Sequence, residues 1–153
     1  MDKNQILEQI HTAKAAHISW IQKAKLLIEG FEVDQNSIPV NSTECRFGKW
    51  YYSDAQEINS LKSSSLRCMK SVERFHFELH DIYQNIFKLY YATDKKDLST
   101  NSFGEKKNID DDTVKIGREY FLRLEKVSKS LLEEINRLEK RVVAIPNEEI
   151  EEL

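Results

Sequence analysis

His17, Cys45, His76 and His80 are the residues of this 153-residue chain best suited to chemistry, because together they offer three imidazole nitrogens and one thiolate. His76 and His80 stand four positions apart, which on a helix sets one ring a turn above the other, within reach of a single ion. Three nitrogens and one sulfur complete the closed tetrahedral shell that zinc takes in sites without a vacant position. The chain has only four histidines and two cysteines, so the set draws on most of its strong ligands. The two left over read differently. His11 precedes His17 by six residues, about 120° around a helix, and should face away from the site. Cys68 lies two turns before His76 without a supporting motif and reads as a small buried hydrophobe.

Several catalytic readings fail on spacing. A zincin helix needs Glu directly after its first histidine, whereas Glu78 follows His76 by two and points to the opposite face. Ferritin-type di-iron bundles use paired Glu-x-x-His motifs and a hemerythrin-type site needs more histidines than remain here, so iron is not expected. A cysteine hydrolase built on Cys45 would need a free basic histidine, but its candidates are the metal ligands themselves. Phe47-Gly48-Lys49 is too short for a nucleotide-binding glycine loop. Four protein ligands leave no place for substrate water, so the expectation is a non-enzyme.

Long helices must position these ligands. Ile6, Ile10, Ala13, His17, Trp20, Ala24 and Leu27 alternate at spacings of four and three and predict a first helix with His17 on its core stripe, closed by Gly30. Neither Gly nor Pro occurs between Gly48 and Gly104, which predicts a long helix from about Ser53 to Ala92. Its inner line is Ala55, Ile58, Ser65, Met69, Val72, His76, Leu79, Tyr83, Ile86 and Tyr90, with His80 beside it. Polar residues from Ala92 to Asp112 predict a long loop, with room for a helical turn near Leu98. The last helix should start near Asp112 as N-cap and run to about Val143, with Pro146 just beyond. Its apolar line reads Ile116, Tyr120, Leu124, Val127, Leu131, Ile135, Leu138 and Val142. Cys45 stands where the polar stretch Asp34 to Thr43 meets a short helix, with Phe47 and Trp50 as packing anchors and Gly48 allowing a tight backbone path. The predicted fold is all-α: an antiparallel four-helix bundle with a short helix carrying the cysteine. Three core histidines would each cost about 1 to 3 kcal/mol unless partnered, which favours a shared ligand over separate structural roles.

Length and composition set the frame. A chain of 153 residues is expected to form one domain, here 1–145 with an acidic tail at 146–153. Hydrophobic residues at 40% rule out disorder, and a net charge of −3 offers no basic surface for nucleic acid. No apolar run suits a membrane span or signal peptide, so a cytoplasmic location is expected, where two cysteines read as a ligand and a bystander rather than a disulfide.

Three blocks of the sequence carry a further signal: His17-Ile18-Ser19-Trp20, then Cys45-Arg46-Phe47-Gly48-Lys49-Trp50, then His76-Phe77-Glu78-Leu79-His80, with 24 and 25 residues between them. In order, aromatic positions and gap lengths they resemble the chemoreceptor zinc-binding (CZB) domain of bacterial signalling proteins, over roughly Ala15 to Asp81. The resemblance implies a Zn2+ cofactor and a domain that answers to zinc, or to oxidants such as hypochlorous acid, in control of chemotaxis or cyclic-dinucleotide enzymes. It also implies a homodimer. Phe75, Phe77, Phe87 and Tyr91 either form such a surface or complete the monomer core. The chain shows neither a signalling coiled coil nor a cyclase, so the expectation is a stand-alone zinc sensor or adaptor acting on a signalling partner whose identity the sequence does not give. A structural interaction module stapled by zinc is the alternative, and a zinc buffer a third. Cys45 is expected to be the redox-responsive ligand, with its short helix detaching on oxidation.

Overall fold

The computed structural model describes residues 2–34, 38–59, 68–91 and 109–151. These form six helices: α1 (Lys3–Ile28), α2 (Arg46–Tyr51), α3 (Ala55–Asn59), α4 (Cys68–Tyr90), α5 (Asp111–Ala144) and α6 (Asn147–Glu151). There is no strand among the described residues, and the helices pack as the all-α bundle that the periodicity predicts.

Local chemistry sets the ends of α1. At its start the Asp2 carboxylate accepts from the Gln5 N–H and the Gln5 side chain accepts from the Asp2 N–H, both at 2.8 Å, a reciprocal capping box. At its finish Gly30 takes φ +87°, and the Gly30 and Phe31 N–H groups donate back to the Leu27 and Leu26 carbonyls. That paired bonding is the Schellman stop, and only glycine enters it without strain. On α5 the Asp110 carboxylate accepts from the Thr113 N–H at 2.8 Å, so the cap is Asp110 rather than Asp112, which joins Asp111 as favourable charge in the first turn.

Cross-links fix the directions of the helices. Lys3 Nζ donates to the Val143 carbonyl, and His17 meets Ser128, so α1 and α5 run antiparallel. Tyr90 at the end of α4 lies against Gly117 near the start of α5, 3.0 Å from where a Cβ would stand, while Cys68 at the start of α4 interacts with Arg141. Thus α4 also opposes α5. The Tyr90 hydroxyl donates to the Ile28 carbonyl, and the Trp20 and His80 rings pack 4.7 Å apart, so α1 and α4 run in the same direction. Between them the chain returns along α1: the Trp20 indole donates to the Pro39 carbonyl, and Trp50 and Asp54 border the same groove as Gln5 and Gln9.

The buried positions follow a strict four-three alternation. On α1 they are the residues expected, joined by Ile28; on α4, Met69, Val72, His76, Leu79, Tyr83, Ile86 and Tyr90 are joined by Cys68, His80 and Phe87. On α5 the inner face is Gly117, Phe121, Leu124, Ser128, Leu131, Ile135, Leu138 and Val142. The predicted line departs from it at Ile116, Tyr120 and Val127. Ile116 is exposed, Tyr120 and Val127 only half-buried, because Gly117 makes room for the Tyr90 ring and Ser128 faces His17.

Other expectations shift in detail. Of the predicted helix Ser53 to Ala92, residues 55–59 and 68–90 are helical, while Ser53 uses its hydroxyl to close α2 by donating to the Lys49 and Trp50 carbonyls. Residues 60–67, and the predicted loop with its turn at Leu98, lie outside the described residues except for 109–112. The polar stretch 34–43 is not simply a surface loop: Ile38 and Val40 are buried in the core. Phe87 and Tyr91 are buried as well, completing the monomer core through contacts with each other and, for Phe87, with Tyr83. Phe75 is half-buried, and of the four rings Phe77 alone is exposed. In the stretch read as an acidic tail, α6 follows Pro146 and buries Ile150, the sole apolar side chain of that helix.

Candidate metal centre

His76 and His80 project from one face of α4, a turn apart, their ring centroids 4.8 Å from each other. Cys45 reaches them from the opposite side. It is the N-cap of α2, and its sulfur accepts the Gly48 N–H at 3.1 Å in the way a Ser or Asp cap oxygen does. The same sulfur lies 3.1 Å from His76 Nε2 and 3.4 Å from the Ser42 carbonyl oxygen. Cys45, His76 and His80 each present one ligand atom within 4.8 Å of the others, and all three are buried. A tetrahedral zinc ion with metal–sulfur and metal–nitrogen distances of about 2.3 and 2.0 Å separates its donors by roughly 3.3 to 3.6 Å. The donors therefore fit one ion with small adjustments.

Backbone and aromatic groups orient these donors. His80 Nδ1 donates to the Val40 carbonyl at 2.7 Å, which leaves Nε2 for a metal. Phe47 packs on His76 at 4.8 Å and meets His17 edge-on, while Trp20 lies between His17, His80 and Tyr83. Gly48 is required for a steric reason: a Cβ there would overlap the Ser42 carbonyl oxygen and stand 3.3 Å from His76 Cε1. The glycine lets α2 press its first turn onto the loop that precedes it. Phe47 and Tyr51 hold that turn down, both buried, with the Tyr51 hydroxyl donating to the Met69 carbonyl on α4.

His17 occupies the same cavity, about 380 Å³ in volume, but its Nε2 lies 2.8 Å from the Ser128 hydroxyl on α5. The structure thus brings three of the four predicted ligands together and sets the fourth beside them with a different partner. His11 faces away, as expected, pairing with Glu139 at 2.6 Å on the surface, and Cys68 is a buried free thiol. Ser128 and the Val40 carbonyl escape the sequence reading. The four-three register of α5 would have exposed Ser128 as a polar residue in a core position, whereas nothing local marks Val40.

Electrostatics favour neutral rings. Burial, and then repulsion from His80, hold His17 down to about 4 and His76 to about 3, the latter also feeling His17. Burial brings His80 to about 4 against the pull of the Val40 carbonyl. Neutral imidazole is the form that ligates a metal. Burial raises the Cys45 thiol, opposed by the Gly48 N–H and more weakly by the charge of Lys49. A divalent cation held by these residues would supply the missing stabilisation of the thiolate.

No helix among the described residues is long and apolar enough to cross a membrane. No curated protein and no solved structure matches the chain. Residues 17–87 do match a protein family, and the segment begins at His17 and contains Cys45, His76 and His80. Over those residues the chain is similar to the chemoreceptor zinc-binding domain family.

Proposed function

We propose that this chain is a zinc-binding sensory domain of bacterial signalling, in which His17, Cys45, His76 and His80 hold one zinc ion and a change at the site alters the bundle. The observation that carries this reading is the buried convergence of Cys45, His76 and His80 from two separate elements. Left without a shared ligand, such a group would cost on the order of 1 to 3 kcal/mol per unpaired polar group. Zinc, when bound, supplies the positive charge that keeps Cys45 a thiolate, an electron-rich sulfur. A two-electron oxidant attacks that sulfur: the thiolate and hypochlorous acid give a sulfenic acid and chloride. Loss of the thiolate donor then weakens the site. Because Phe47 and Tyr51 anchor α2, its release would expose two buried rings, which makes the change large and cooperative.

The protein acts in the cytoplasm without catalysing a reaction, passing the signal to a partner in chemotaxis or cyclic-dinucleotide control. It works as a homodimer, and the exposed Tyr52–Phe77 pair, centroids 6.3 Å apart, is the aromatic surface that remains for this purpose. A second reading, zinc as a fixed staple, draws support from the burial of all three clustered donors.

Titration of the zinc-loaded chain with hypochlorous acid, with released metal followed by a chromogenic chelator, separates the two. Sensing requires one zinc per chain, released by about one equivalent of oxidant, and near-complete loss of binding in His76→Ala. Zinc retained through several equivalents, or released equally readily from a zinc-loaded Cys45→Ser chain, favours the staple. Failure of the wild-type chain to bind zinc ends both readings.

A further inference from the structure

We propose that Ser128 is the counter-position of His17, so that the His17 ring exchanges between the Ser128 hydroxyl on α5 and the metal held by Cys45, His76 and His80. This rests on the zinc reading above and adds to it a route by which the site reaches α5, a helix outside the family-matched segment 17–87. The two groups face each other at 2.8 Å, and each is buried, His17 at 2% and Ser128 at 6% exposure. Of the eight buried positions on α5, the other seven are glycine or apolar. A leucine or isoleucine at 128 would continue the four-three stripe, and the serine gives up that apolar burial for a hydrogen bond to His17.

The pairing competes with ligation. A lone pair on Nε2 that accepts the Ser128 proton cannot also bind an ion, so Nε2 must leave the hydroxyl before it can join the other three donors. The ring has somewhere to go, since it borders the cavity that Cys45, His76 and His80 also line. Its aromatic neighbours lie 6.3 Å (Trp20) and 6.2 Å (Phe47) away by centroid, at the loose end of ring packing. Ser128 also has a fallback. A helical serine can turn its hydroxyl to the carbonyl four residues earlier, here Leu124, so its release leaves no orphaned donor. Loading the site with metal therefore frees α5 from α1 at this point in the bundle, and unloading restores the tie.

Two measurements test the exchange. Zinc affinity, by competition with a chromogenic chelator, should rise two- to tenfold in Ser128→Ala, because a net hydrogen bond of roughly 0.5 to 1.5 kcal/mol no longer holds His17 back. The metal-free variant should melt at a lower temperature than wild type. A merely structural serine would weaken both properties together, and a serine that orients His17 for ligation through Nδ1 would make the variant bind zinc more weakly. In a His17→Ala background the Ser128→Ala change should leave affinity unaltered. Nitrogen NMR of the histidine rings in the wild-type chain needs no variant: addition of zinc should move His17 Nε2 to the metal-bound range. Unchanged or reduced affinity in Ser128→Ala, or a His17 Nε2 signal indifferent to zinc, overturns the exchange. A chain that binds one zinc but shows either of those results keeps the site and loses only the role of Ser128.

Discussion

The two sides of the candidate metal centre are built on opposite principles. His76 and His80 stand on α4, a 23-residue helix whose buried line would place them even if neighbouring residues changed. Cys45 stands at the tip of α2, a six-residue helix held by a sulfur cap, two buried rings and a glycine with no room for a methyl group. Isolated helices of that length do not persist in water, so the cysteine side owes its geometry to tertiary contacts alone. One side is robust and periodic, the other particular and easily disturbed, which suits a site where the sulfur is the responsive ligand.

The largest effect is therefore expected at Gly48. Ala at this position must displace the Ser42 carbonyl or the whole of α2, at an overpacking cost of about 1 to 3 kcal/mol, which corresponds to roughly 2 to 10 °C in Tm. Zinc binding should fall by at least tenfold as the sulfur swings away, while circular dichroism shows helix content almost unchanged. A Gly48→Ala chain with wild-type zinc affinity would mean that the sulfur does not depend on this turn.

Acid should act on the histidine side. The folded chain holds His17, His76 and His80 down to about 4, 3 and 4, against 6.5 for an unperturbed ring, so the unfolded state takes up protons first as pH falls. Stability of the metal-free protein should be constant above about pH 7 and decline from pH 6.5 towards 4, with up to about 1.4 kcal/mol per pH unit from each ring. Denaturant titrations at pH 7.5, 6 and 5 check this. A metal-free chain as stable at pH 5 as at 7.5 would contradict the burial of neutral rings.

The smallest effects belong to residues that the comparison leaves out. His11→Ala removes an exposed pairing with Glu139 and should change stability by less than about 1 kcal/mol. Neither it nor Cys68→Ser should alter the zinc stoichiometry, and a loss of metal in either would redraw the site.

The same contrast governs what was legible in the sequence. The line from Met69 to Tyr90 and that from Ile6 to Leu27 follow from spacing, because a helix repeats its burial pattern and tertiary context only has to agree with it. On α5 the line from Leu131 to Val142 was legible too, but the choice of the larger apolar residues Ile116 and Val127 over Gly117 and Ser128 hid two inward positions, and Tyr120 stood in for its neighbour Phe121. In this bundle a small residue faces a large partner, as Gly117 faces Tyr90. Cys45 could be picked out by its motif, but its cap, the overlap that forbids a side chain at 48, and the Val40 carbonyl behind His80 are meetings of distant backbone. No local pattern encodes those. The burial of Ile38 and Val40 within a polar stretch was likewise hidden, since two alternating apolar residues beside Pro39 read as loop until α1 and α4 surround them.

X-ray absorption at the zinc edge, on the full chain loaded with one equivalent of metal, tests the central claim most directly. The account predicts one sulfur at about 2.3 Å and three nitrogens at about 2.0 Å, with the sulfur contribution lost in Cys45→Ser. A first shell of nitrogen and oxygen without sulfur in the wild-type chain would contradict it.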